Sequence, residues 1–215
     1  MKAWLKENGP WIIAGVVVAA LAVTGYRWYQ RYVDQAGAQA SAKYLQMVEA
    51  LGRGDHTNAF VVLGDLERNY PSSAYVDQAR LMAARADVET GELDKAATEL
   101  QSVVAHSKDP DLALVARLRL ARVQIAQHKA DAALATLDAV QPGAFAPAFH
   151  EVRGDAFYAK GDKANALKEY LSAKAAGAGG VPDGGPLDLK ITELSAGSQQ
   201  PRQAITPAPA AAPAK

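Results

Sequence analysis

The chain has 215 residues, 23 basic and 23 acidic side chains, and no cysteine. This charge balance leaves no electrostatic footprint for nucleic acid, and the missing cysteine excludes a disulfide framework, a thiolate metal site and a lipidated N-terminal cysteine. With about 32 residues read as a membrane segment, the length leaves room for one soluble domain of ordinary size.

From the N-terminus, the first element is an uncharged run from Gly9 to Tyr26. As a helix it spans about 27 Å at ~1.5 Å per residue, close to the ~30 Å hydrocarbon core of a bilayer. Trp4 and Trp11 precede or open the run, and Tyr26, Trp28, Tyr29 and Tyr32 close it. Aromatic rings at both ends of an apolar span suit the two headgroup layers. Residues 1–32 therefore read as an N-terminal transmembrane anchor with a short cytosolic end. A cleaved signal peptide is the competing reading, since Lys2 and Lys6 precede the run and Ala20-Leu21-Ala22 resembles a cleavage site. The length of the run and the bulky Tyr26-Arg27-Trp28-Tyr29 that follows favour retention. Lys2 and Lys6 on one flank equal Arg27 and Arg31 on the other, so the charges leave the orientation open. Gly15, Ala19 and Ala22 share one helical face where another membrane helix can approach closely.

Residues 33–176 are helical by period, with few alternating β-branched positions. A punctuation recurs in them: a turn residue, an alanine five positions on, and a larger residue four after that. It reads Gly54, Ala59, Leu63; Gly91, Ala96, Leu100; His128, Ala133, Leu137; and Gly161, Ala166, Tyr170. The alanines are 37, 37 and 33 residues apart. A turn glycine accepts left-handed geometry, the alanine lets two helices approach, and the larger residue fills the space beside it. The pattern is similar to the tetratricopeptide repeat, a helix–turn–helix unit of ~34 residues. The expected fold is thus all-α: one transmembrane helix, then a repeat solenoid with a concave groove. The third unit departs from the pattern with His128 in place of glycine. The stretch from Ala40 to Leu51 lacks the usual large and small pairing, and reads either as the first repeat's opening helix or as a continuation of the membrane helix.

Seven of the ten residues from Gly177 to Pro186 are glycine or proline, which ends helical packing. Leu187, Ile191 and Leu194 then lie on one helical face, suiting a helix that caps the last repeat; Leu187, Leu189 and Ile191 also alternate, as in a short strand. Residues 177–194 are read as linker and cap, and 195–215 as a disordered Pro/Ala tail.

No catalytic constellation is evident. His56, His106, His128 and His150 are isolated from one another, no phosphate loop, dinucleotide fingerprint or nucleophile elbow occurs, and no cofactor is expected. Binding is expected instead on the first helix of each repeat. The groove-facing positions are Leu81, Arg85, Val88, Leu118, Arg122, Ile125, Glu151, Asp155 and Tyr158. Two arginines followed by two carboxylates suit a polar peptide of mixed charge; solvated helix faces with i, i+4 ion pairs are the alternative.

Several strings carry a wider resemblance: Glu7-Asn8-Gly9, Gly25 to Tyr29, Leu118 to Gln124, Ala130 to Asp138, and Arg153 to Phe157 running on to Lys160-Gly161-Asp162. On these the chain resembles the YfgM-type ancillary subunits of the bacterial SecYEG translocon. The resemblance implies a single-pass inner-membrane protein with its repeats in the periplasm. It also implies association with SecYEG, with the membrane-anchored periplasmic chaperone PpiD and with exported client polypeptides. Its function would then be non-catalytic. A cleaved soluble periplasmic repeat protein and a pure partner-docking scaffold are the alternatives.

Overall fold

The computed structural model describes residues 2–177 and 185–198; within the first helix, side chains are described at Gly15, 17–28, 30–31 and from 35 onward. The side chains of Trp4, Trp11, Tyr29 and Tyr32, most of the Gly/Pro linker and the Pro/Ala tail from 199 lie outside what is described.

Among the described residues nine α-helices follow one another: α1 Lys2–Gly52, α2 His56–Asn69, α3 Ala74–Glu89, α4 Leu93–His106, α5 Pro110–Ala126, α6 Ala130–Asp138, α7 Ala146–Ala159, α8 Lys163–Ala176 and α9 Pro186–Ser198. A 3-10 turn at Gly143–Phe145 leads into α7, and no strand occurs among the described residues. The chain divides into two compact units, Met1–Ala116 and Arg117–Lys215, with the boundary inside α5.

Four turns share one geometry, and the sequence explains why. Gly54, His128, Gly91 and Gly161 all have positive φ, between 61° and 81°. In each turn two amides close back on the preceding helix, as in Gly91 N–H to Val88 C=O at 3.1 Å and Glu92 N–H to Asp87 C=O at 2.7 Å. The same pair recurs as His128 to Ile125 at 2.9 Å and Lys129 to Gln124 at 2.8 Å. This satisfies carbonyls that a helix end otherwise leaves unpaired. His128 therefore makes the same turn as the glycines while carrying a Cβ in the left-handed region, a strain of about 1 kcal/mol. Two of the following helices have side-chain caps: Asp55 accepts from the Asn58 amide at 3.1 Å, and Asp162 accepts from the Asn165 amide at 3.1 Å.

The alanines five residues past each turn, Ala59, Ala96, Ala133 and Ala166, are all fully buried. Four residues further, Leu63, Leu100, Leu137 and Tyr170 are 1–4% exposed. Seven residues before each turn lies the complementary position, held by Met47, Ala84, Ala121 and Gly154. Where the second helix carries tyrosine, the first has shrunk to glycine: a Cβ on Gly154 would lie 2.4 Å from the Tyr170 ring.

In the first unit, Ala40, Met47 and Ala50 of α1 pack with Ala59, Val62, Leu63 and Leu66 of α2 and with Val76, Ala79 and Ala83 of α3. The stretch from Ala40 to Leu51 is thus both the first repeat's opening helix and the continuation of α1. Earlier in α1 the environment inverts. Val17, Val18, Leu21, Val23, Tyr26 and Trp28 are 50–70% exposed. Among the described residues no stretch is long and apolar enough to cross a membrane, because the run from Gly9 to Tyr26 extends over side chains outside them.

In the second unit, α6, α7 and α8 pack in chain order, and α9 lies against α8. Leu194, Ile191 and Leu187 of α9 close over Ala166 and Tyr170, with Phe157 and Leu167 at the margin.

Candidate binding surface

The first helices of the repeats carry a basic residue eleven positions before each turn: Lys43, Arg80, Arg117 and His150. Three of them bind the packing helices internally. Lys43 meets Asp65 at 3.1 Å, Arg80 meets Glu67 at 2.7 Å and Glu99 at 3.1 Å, and His150 Nδ1 lies 2.7 Å from Glu169. Glu99 and Glu169 occupy the same place in their repeats, eight residues past the turn. The Lys43 hydrogen bond, aided by Arg68, lowers the Asp65 carboxyl pKa. Burial raises that of Glu99 against the opposing pull of Arg80. These ion pairs stitch a repeat together and offer little to a partner. Sequence reading missed them, although the regular spacing of the basic residues is a signal for them.

The predicted surface residues fall into different environments. In the first unit Leu81 is 6% exposed and belongs to the packing, not to an open groove. Arg85 is exposed and donates to Glu89 four residues on at 2.8 Å, the intrahelical pair that a solvated face also makes. Val88 is exposed beside it. Arg85, Glu89, Ala86 and Met82 of α3 form one wall of a cleft of about 260 Å³; Val48 and Leu51 of α1 and His56 of α2 form the other. Asp87 of α3 is 3% exposed with one carboxylate oxygen unpartnered, and the Nδ1 atom of His56 is likewise buried without a partner. Burial raises the Asp87 carboxyl pKa.

In the second unit Leu118 is also 6% exposed and lies in the packing, while Arg122 is exposed and Ile125 half-buried. Leu118 and Arg122 are four residues apart and so lie only about 40° from each other around the helix, one against the packing and the other at its solvent edge, which is why the predicted face captured both kinds. Glu151, Asp155 and Tyr158 all meet α9. The Lys190 ammonium donates to Glu151 Oε1 at 2.9 Å and to Asp155 Oδ1 at 2.7 Å, and the Tyr158 hydroxyl donates to Glu193 at 3.1 Å. Tyr170 donates to the same Asp155 oxygen at 2.8 Å and presents its ring 5.3 Å from the Lys190 nitrogen. Burial and then the Asp155 hydrogen bond push the Tyr170 hydroxyl far above the ordinary tyrosine range. Burial opposes the charge on Lys190, but its hydrogen bonds to Asp155 and Glu151 outweigh it and its pKa rises.

Among the described residues no group of three or more histidine, aspartate or glutamate side chains is placed to hold a metal ion. His106 Nδ1 sits 3.0 Å from the Ser102 carbonyl, His128 makes a turn and His150 an internal pair. Gly15, Ala19 and Ala22 are exposed on α1.

A family described as a tetratricopeptide repeat-like domain matches residues 2–196. An ancillary SecYEG translocon subunit of Neisseria gonorrhoeae is 34% identical over 80% of this chain and 83% of its own length. A protein of the same name from Escherichia coli is 34% identical over 79% of this chain and 82% of its own. Among solved structures, one titled MamA RS-1 ArsTM double mutant superposes with a TM-score of 0.54 at 17% identity, covering 76% of this chain and 98% of that one. That last likeness speaks to the fold alone.

Proposed function

The chain belongs to the family of tetratricopeptide repeat-like proteins that includes the ancillary SecYEG translocon subunits, and on that premise we propose that it is a non-catalytic binding subunit of the bacterial Sec translocon. Residues 9–26 hold it in the inner membrane as a single-pass protein, with its N-terminus in the cytosol and its repeats in the periplasm. The observation that carries this reading is the apolar side of α1. Six large apolar side chains between Val17 and Trp28 stay half or more exposed, in a helix that runs unbroken into the first repeat's core. Exposed apolar side chains in that number suit lipid.

The repeats then act by being held in place. A short tether gives a weak binding face an effective concentration in the millimolar range near its target. Exposed Arg85 and Val88 supply one face in the first unit, and Arg122 and Ile125 another in the second, each for extended segments of newly exported chains or for a membrane-anchored, PpiD-like periplasmic chaperone. Gly15, Ala19 and Ala22 provide the close approach for a neighbouring membrane helix.

The test is site-specific photocrosslinking in intact membranes from Val88 and Arg122. Adducts to nascent exported chains support client binding. Adducts to a single fixed partner, lost in an Arg85→Glu, Arg122→Glu double variant, reassign the face to docking. No adduct to any export component, from either position, contradicts the reading.

A further inference from the structure

In the first unit a cavity of about 580 Å³ is lined by residues of both the α2–α3 and the α4–α5 turns, so the two turns share one end of that unit. Tyr70, which closes α2, donates its hydroxyl to Gln39 of α1 at 2.7 Å. That end therefore lies level with Gln39, on the side of the exposed apolar row of α1 and away from the turn at Gly54. Within the cavity Arg80 and Glu67 satisfy each other, whereas Asp77 and Lys108 have no partner among the described residues. Along α1 between Tyr26 and Ala40, every residue whose surroundings are described is exposed, save half-buried Ala36. An uncovered helix of that length is marginal in water, and Gly37 within it weakens it further.

On the membrane reading of residues 9–26, this uncovered stretch sets a height. Gln39 lies 13 residues past Tyr26, roughly 20 Å along the helix. About 6 Å of headgroups cover the hydrocarbon. A layer about 10–14 Å deep, close to one helix diameter, then remains beneath the turns. We propose that this layer docks the extramembrane segment of a neighbouring integral membrane protein, which lies along the uncovered stretch of α1 and enters the cavity between the two turns. A segment rooted in the same bilayer is already held at this level, at high effective concentration, and continues a helix packed on the exposed row of α1. Lys108 receives a carboxylate of the segment, Asp77 a basic side chain, and Leu112 supplies apolar contact. Lipid is the poorer match, because Glu67, Asp77 and Asp109 outnumber Arg80 and Lys108 there and repel an anionic surface. The proposal rests on the membrane reading of α1, not on the faces at Arg85 and Arg122.

The test uses the full chain in native membranes, with a photo-reactive amino acid in place of Ser72 or, separately, of Lys108. The expected result is one adduct, to a protein that resists carbonate extraction as integral membrane proteins do. Asp77→Lys with Lys108→Glu is expected to lower the adduct from position 72 at least five-fold. Seven helix-forming residues inserted after Gln35 raise the turns by roughly 10 Å and rotate them by only about 20°. That insertion is expected to lower the adduct at least ten-fold, with the helical circular dichroism unchanged because the buried face begins at Ala40. Adducts to lipid alone, or to exported chains alone, overturn the proposal. So does an adduct that survives either change at full yield. A membrane-held chain with no adduct from either position overturns this proposal alone, whereas a chain that carbonate extracts overturns the membrane reading with it.

Discussion

Along α1, two stretches of one helix meet opposite surroundings. Val18 and Leu21 are 65% and 68% exposed, whereas Ala40, Met47 and Ala50, on the same continuous helix, are fully buried. In the first stretch the large apolar side chains stand exposed. The second is apolar on one stripe and faces α2 and α3. The difference teaches that the exposed apolar stretch and the first repeat's opening helix are parts of one continuous α-helix. The first repeat is built on the helix that also carries the exposed apolar run.

The strongest way to break this comparison is to charge the first stretch. Val18→Arg with Leu21→Arg is expected to shift the chain from the membrane to the soluble fraction, since each arginine at a helix centre costs about 2.5–3.5 kcal/mol on the insertion scale. The repeats' helical circular dichroism is expected to persist, because the buried face begins at Ala40. Membrane fractionation with spectra of the soluble pool checks both.

The second stretch is sharpened by the large-against-small pairing of the repeats. Gly154→Ala is expected to destabilise the chain by about 1–3 kcal/mol in urea unfolding, because its Cβ meets the Tyr170 ring at 2.4 Å. Tyr170→Leu in the same chain is expected to recover part of that loss, matching the Ala84 and Leu100 combination. The turns predict a smaller effect of opposite sign. His128→Gly is expected to stabilise by about 0.5–1 kcal/mol, the relief of left-handed strain less the added freedom of glycine in the unfolded chain.

The smallest effect is a pH dependence at Asp87. Its folded pKa is raised by burial, so the folded state holds this proton more tightly than the unfolded one. Its contribution to stability is therefore present below the ordinary carboxylate range and lost as pH rises through the raised value. Asp87→Ala is expected to compare more favourably with wild type at pH 7 than at pH 4, measured by urea midpoints at both. An equal difference at both pH values would remove the buried carboxylate from the account.

Much of the repeat architecture was legible because backbone geometry restricts residue type. A left-handed turn selects glycine, and a close helix approach selects alanine, so Gly54, Gly91, Gly161 and the alanines after them announced the helix pairs. His128 was legible only by its place in the register. The surface was harder to read. Periodicity put Leu81 beside Arg85 and Leu118 beside Arg122, yet each leucine packs inward while the arginine stays exposed. What decides between them is the neighbouring helix, and that contact lies far away in sequence. The seat of Lys190 was hidden for the same reason, since its carboxylates lie 39 and 35 residues earlier.

The cysteine-free chain allows the central comparison to be measured along α1 itself. Single cysteines placed at Val17, Leu21, Val23 and Leu45 are to be reacted with a membrane-impermeant maleimide in spheroplasts, with and without detergent. The account predicts that the first three react only after detergent, while Leu45→Cys reacts from the outside in intact spheroplasts. Equal labelling of all four without detergent would show that the apolar half of α1 meets water, and would contradict the membrane-held repeat.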